Sequence, residues 1–161
     1  MGKTLADPAL AAQVDFQFMP MPDGVEPNCF QSDDICACDR IEACVVSRLE
    51  CDPVSGACTG AQATALAGFA ACFESGNVES SCDPSIGQAC ATAAGIKKAA
   101  LDECLSSPDE YEAIQQEVQD AATAAAIEEV PSIFVNDKLC SVASGADLLT
   151  CLCDGGATAA C

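Results

Sequence analysis

An α/β fold carrying a helical, disulfide-crosslinked insertion is what this sequence predicts, on three observations. Fourteen cysteines occur in 161 residues, and none precedes Cys29. The stretch holding most of them reads as short helices, set between a strand-like segment and a later helix, hairpin and helix in that order. Large core-fillers are scarce: hydrophobic residues make up 50% of the chain but aromatics only 4%. Crosslinks must therefore supply what burial does not, at about 2–4 kcal/mol for each bridge.

Residues 3–12 read as a short helix containing Pro8, and 14–18 (VDFQF) alternate apolar and polar as a strand does. Pro20, Pro22, Gly24 and Pro27 then break regular structure. A helix is expected over 33–49, with Ile35, Cys38, Ile41, Val45 and Leu49 near helical spacing, stopping before Asp52-Pro53. A second starts at the capping box Thr59-Gly60-Ala61-Gln62 and ends near Gly76. A third opens at Asp83-Pro84, a cap followed by proline at the first helical position, and closes at Gly95. A fourth covers 96–105. The clearest helix begins at Ser107-Pro108-Asp109-Glu110, with Ser at the cap, Pro at N1 and Glu at N3, and carries Tyr111, Ile114, Val118, Ala122 and Ala125 on one face. Residues 130–140 (VPSIFVNDKLC) read as two short strands around an Asn-Asp turn. Ser144 caps a last helix through Cys153, and Gly155-Gly156 ends it. The whole, 1–161, is expected to be a single domain with a helical cysteine-rich insertion over 29–105.

Composition removes several function classes. The formal charge is −19, from 25 acidic and 6 basic residues, which argues against nucleic acid and anionic membrane surfaces as partners. It suits a self-repelling soluble surface, or work in an acidic lumen. No apolar run approaches the roughly 20 residues of a membrane span. Zinc sites commonly mix Cys with His and use C-x2-C pairs; here there is no histidine and no C-x-x-C. The expectation is a disulfide framework with neither metal nor cofactor, made in the secretory pathway, a lysosome-like lumen or the extracellular space. Residues 1–8 (MGKTLADP) offer no apolar signal-peptide core, so a processed or truncated N-terminus is expected.

Cys29-Phe30-Gln31-Ser32-Asp33-Asp34-Ile35-Cys36, followed by Ile41-Glu42-Ala43-Cys44, resembles the signature segment of the gamma-interferon-inducible lysosomal thiol reductase family. There a C-Q-H-G-x3-C run is followed eight residues later by the Cys of an (I/V)-E-A-C motif. The likeness extends along the chain. Val14-Asp15-Phe16-Gln17-Phe18-Met19-Pro20 is similar to a strand ending in a V-P-Y-G-like turn, and Phe69-Ala70-Ala71-Cys72-Phe73-Glu74 to an F-x-x-C-x-E step. Cys90, Gly95 and Cys104 follow a C…G…C pattern. Val130-Pro131-Ser132-Ile133-Phe134-Val135-Asn136 is similar to V-P-W-x-x-V-N-G, and Leu148-Leu149-Thr150 with Cys153 and Cys161 to the tail. Departures occur at Phe30, Gln31 and Ser32, at Ser132 and at Asp137, and Cys38, Cys51, Cys58, Cys82 and Cys151 are additional.

The resemblance implies a thioredoxin-like fold interrupted by a helical insert, and reduction of protein disulfides in an acidic compartment. It implies Val130-Pro131 as the substrate-facing cis-proline pair; an ordinary trans proline at a strand start is the plain alternative. It also implies that Cys29, Cys36, Cys44, Cys72, Cys90, Cys104, Cys153 and Cys161 are bridged, with connectivity left open. The family's C-x-x-C stands at the start of the first helix after a central strand. Neither element is among these residues, so the fold is expected to be incomplete, with its sheet edge-exposed or completed by a partner protein.

Other chemistry lacks parts. A dithiol reductase needs a low-pKa thiolate, usually at a helix N-terminus, and a nearby resolving cysteine. The C-x-C pairs Cys36/Cys38 and Cys151/Cys153 are placed mid-helix or late in a helix, beside acidic residues such as Asp33, Asp34 and Asp39, so structural bridging is the better reading of both. Without histidine there is no Ser-His or Cys-His dyad. Glu128-Glu129 and Asp33-Asp34 are adjacent carboxylates that point to different helix faces, Gly155-Gly156 is a helix stop, and Lys97-Lys98 is too small for a basic patch. No catalytic residue is assigned. The function read from the sequence is that of a thiol–disulfide oxidoreductase family member without its C-x-x-C; a non-catalytic disulfide-stabilised binding or structural subunit is the alternative.

Overall fold

The computed structural model describes residues 33–54, 57–58, 60–76, 82–124, 133–136, 138–140, 145–158 and 161. The expected helix 3–12 and strand 14–18, together with Cys29, Thr59, Ala125, Val130, Pro131, Ser132 and Asp137, lie outside them. In chain order the elements are α1 (Asp33–Arg48), α2 (Ala61–Gly76), α3 (Pro84–Ala93), α4 (Lys98–Leu105), α5 (Pro108–Ala124), β1 (Ile133–Val135), β2 (Lys138–Cys140) and α6 (Gly145–Asp154). Helices dominate, and among the described residues the sheet is the two-stranded hairpin β1–β2.

Local chemistry explains where each helix stops. α1 ends as Glu50 takes a left-handed φ of 55°, with the Cys51 amide donating to the Val46 carbonyl and the Glu50 amide to Ser47. This is the paired bonding that satisfies orphan carbonyls at a helix C-terminus, here formed without the usual glycine. α3 begins at Asp83, whose carboxylate accepts from the Ser85 amide at 2.9 Å with Pro84 next, and closes the same way at Gly95 (φ 91°). α5 starts at Pro108, but Glu110 does not return to the cap as a capping box would. Its carboxylate is held by α1 instead: Ser47 Oγ donates to it at 2.7 Å and both Arg48 terminal nitrogens reach it.

The main core forms around α1. Ile41, Cys44, Val45 and Val46 are essentially inaccessible and pack with Leu66, Phe69 and Phe73 of α2, Cys90 and Ala91 of α3, and Leu101 and Cys104 of α4. Phe69 and Phe73 stack with ring centroids 5.3 Å apart. Gly87 lets α3 approach this pair, since a Cβ there would meet Phe73 at 3.0 Å and Ile41 at 3.1 Å. On α5 the buried positions are Tyr111, Gln115, Val118 and Ala122. The stripe expected through Ile114 is thus rotated: Ile114 is half-buried and the polar Gln115 is 3% exposed. A second, smaller cluster joins Leu148, Leu152 and Ala157 with Val135 and Leu149.

Bridges across this core are dense. Cys44–Cys104 joins α1 to α4, Cys72–Cys90 joins α2 to α3, and Cys38–Cys82 ties α1 to the residue before the α3 cap. Cys51–Cys58 closes the loop after α1.

Candidate functional site

The segment to which sequence reasoning assigns substrate contact runs into β1. β1 and β2 pair antiparallel, with Ile133 opposite Cys140, Phe134 opposite Leu139 and Val135 opposite Lys138. A two-residue connection requires left-handed backbone, and Asn136, a residue that tolerates it, supplies φ 50°. Its side-chain amide donates to the Gly155 carbonyl at 2.9 Å, fastening the hairpin tip to the end of α6. Gly155 is needed for that approach, because a Cβ there would fall 2.5 Å from Val135 Cγ1. α6 then closes through Gly156 (φ 99°), with the Ala157 amide donating to the Leu152 carbonyl at 2.9 Å.

Two disulfides complete this unit. Cys140–Cys151 joins β2 to α6, and Cys153–Cys161 folds the last residues back onto the same helix. Cys140 and Val135 face α6, whereas Leu139 on the opposite face is 67% exposed. The hairpin is therefore fixed from one side by a side-chain amide, a close glycine contact and a covalent crosslink.

The thirteen described cysteines are all disulfide-bonded. Of the eight assigned to the framework, Cys44 is joined to Cys104, Cys72 to Cys90 and Cys153 to Cys161; Cys36 is bonded, and Cys29 lies outside the described residues. The remaining six, Cys38, Cys51, Cys58, Cys82, Cys140 and Cys151, pair only among themselves. The family resemblance singles out none of these six, but the even cysteine total already favours a framework that includes them, and the C-x-C reading expects Cys38 and Cys151 to be bridged. Cys36 and Cys38 are the fourth and sixth residues of α1, past the first turn where the macrodipole would favour a thiolate, and both are held in bridges.

Among the described residues, the two perturbed carboxylates belong to scaffolding. Hydrogen bonds from Arg48 and then Ser47 hold the Glu110 carboxyl below its usual pKa, and Ser85 does the same for Asp83 at the α3 cap. Among the described residues no group of three or more His, Cys, Asp or Glu side chains could hold a metal ion. Nor is any helix among them long and apolar enough to cross a membrane.

A disulfide-stapled helical body followed by helix, hairpin and helix defines the class. The family model described as Thioredoxin matches residues 56–153, and the chain belongs to the thioredoxin family. No curated protein and no solved structure matches the chain.

Proposed function

We propose that this chain serves thiol–disulfide exchange on protein substrates in an oxidising lumen, as a protein of the gamma-interferon-inducible lysosomal thiol reductase type. The single observation that carries the reading is the thioredoxin-family match over 56–153, which takes in the helices α2–α5, the hairpin and most of α6. Val130-Pro131 leads into β1 and is the pair that would offer backbone to an extended substrate. The anchored hairpin supports that role, because a rigid strand presents its backbone at little entropic cost. Six described bridges support an oxidising compartment. The reacting dithiol is not among these 161 residues, which contain no C-x-x-C. In this reading it comes from polypeptide outside them, and this chain supplies the substrate-facing strand and the framework. Residues 1–161 would then be one thioredoxin-like domain, with 29–105 inserted in it.

The test uses protein from its native source. Free thiols are blocked, a limiting dithiol reductant is added, newly exposed thiols are labelled and mapped, and insulin reduction is followed at mildly acidic pH. The expected result is one cysteine pair, outside residues 1–161, that reduces first and supports turnover, with Pro131→Ala slowing turnover about tenfold or more. A second reading, a non-catalytic lumenal subunit, is favoured by the bonding of every described cysteine. Uniformly resistant bridges and no insulin reduction would establish it and overturn the first.

A further inference from the structure

We infer that the two bridges rooted in the C-x-C of α6, Cys140–Cys151 and Cys153–Cys161, form a redox latch: a dithiol reductant opens them before the bridges of the helical body and so releases the β1–β2 hairpin while that body stays folded. Burial separates the two sets of bridges. Cys38–Cys82, Cys44–Cys104, Cys51–Cys58 and Cys72–Cys90 have all their half-cystines in the main core or packed against it. None of the latch half-cystines belongs to that core or to the smaller C-terminal cluster. Exchange begins with a thiolate attacking a sulfur that it can reach. Cys151 and Cys153 are half-buried and Cys161 is exposed. Among the described bridges, Cys153–Cys161 is the one with neither half buried. Cys140–Cys151 offers attack at Cys151, with the buried Cys140 as leaving group, and follows second.

The bridges act on the hairpin through α6. Leu148, Leu152 and Ala157, with Val135 and Leu149 against them, form a cluster separate from the main core. A two-stranded hairpin is marginal by itself in water, and so small a cluster gives it little burial to rest on. Its supports are local: the Asn136 amide on the Gly155 carbonyl, the close approach of Gly155 to Val135, and Cys140–Cys151. Cys153–Cys161 keeps the turn after α6 against the helix, where the Ala157 amide donates to the Leu152 carbonyl and Ala157 is buried in the cluster. Opening both bridges leaves the hairpin on one exposed hydrogen bond and a few apolar contacts, whereas the body keeps four bridges and its own core. The latch stands on this geometry under either reading of the function. Its consequence, that reductant withdraws the strand following Val130-Pro131, rests on the exchange reading.

Each opening balances as an ordinary exchange. One thiolate of the dithiol attacks a bridge sulfur and expels the other as thiolate; the second thiolate of the reductant then closes on the mixed disulfide. The reductant leaves as a cyclic disulfide, and two electrons and two protons remain on the protein as a pair of thiols. The test titrates the full chain with dithiothreitol, alkylates and maps the thiols at each step, and follows amide hydrogen exchange in parallel. The expected order among the described bridges is Cys153–Cys161, then Cys140–Cys151, then those of the body. Once both latch bridges are open, exchange in β1, β2 and the end of α6 should quicken about tenfold or more, with α1–α4 unchanged. A variant with Cys140, Cys151, Cys153 and Cys161 all replaced by serine should show the same pattern without reductant. A body bridge opening as early as the latch, hairpin exchange unmoved with both latch bridges open, or α1–α4 quickening in step would each overturn the inference. Insulin reduction is not the readout, so the latch and the exchange reading can fail separately.

Discussion

Glu110 shows how one side chain can be claimed by tertiary structure against its local role. As the N3 residue of α5 it could close a capping box, but its carboxylate is bonded by Ser47 and by Arg48, whose Nε also donates to the Ala100 carbonyl at 2.9 Å. One guanidinium thereby ties α1 to both α4 and α5, and a bidentate pair of this kind is stronger than an ordinary surface bridge. Because the folded-state pKa of Glu110 is depressed, its contribution is fully present above the ordinary carboxylate pKa. It is lost only as pH falls through the lower folded value. Glu110→Gln should therefore destabilise by about 1 kcal/mol at neutral pH and by less in strong acid. Thermal melts of both proteins from pH 7 down to pH 2 would show the gap closing at the acid end; a constant gap would contradict the assignment. Glu50 presents the opposite case, a residue fitted poorly to its site. Its φ of 55° carries the left-handed penalty that glycine avoids. Glu50→Gly should raise stability by about 0.5–1 kcal/mol, visible as a higher denaturant midpoint with unchanged slope.

At the scale of elements, what was legible in the sequence was punctuation. Asp83-Pro84, Gly95 and Gly155-Gly156 mark helix ends because their chemistry is local, and the structure places helix ends beside all of them. Side-chain partners were less legible. Gln115 is buried on the inner face of α5, and its Oε1 has no hydrogen-bond partner among the described residues. A polar letter at a core position cannot be read from periodicity, which is why the stripe expected from sequence runs through Ile114. The fit of α6 to the hairpin was likewise hidden, since Gly155 reads as a helix stop and its contact with Val135 is non-local. That contact yields a prediction. In Gly155→Ala the added methyl would sit 2.5 Å from Val135 Cγ1, so helix or hairpin must move, at about 1–3 kcal/mol. Amide exchange should quicken in β1, β2 and the last turn of α6 while α1–α4 stay protected. Loss of protection throughout the chain would mean that the C-terminal unit is not a separately stabilised cluster.

For the molecule as a whole, the bridges divide by how much chain they restrain. Cys44–Cys104 spans a separation of 60 residues between two half-cystines with no exposed surface, whereas Cys51–Cys58 spans only 7. On the chain-entropy account the first restrains the unfolded state by about 4 kcal/mol and the second by about 2.5 kcal/mol. Removing the buried pair also leaves space in a close-packed core, which adds to the loss. The ordering follows from the small apolar supply: with aromatics at 4% of the sequence, the helical body has little burial to fall back on when a long-range crosslink is cut. Cys44→Ala/Cys104→Ala should therefore cost at least about 1.5 kcal/mol more than Cys51→Ala/Cys58→Ala in chemical denaturation under non-reducing conditions. Mass mapping of the remaining bridges in each variant checks that no pairing has been reshuffled. Equal losses from the two variants, with the other bridges intact, would show that local packing around α1, and not restraint of the unfolded chain, is what these disulfides contribute.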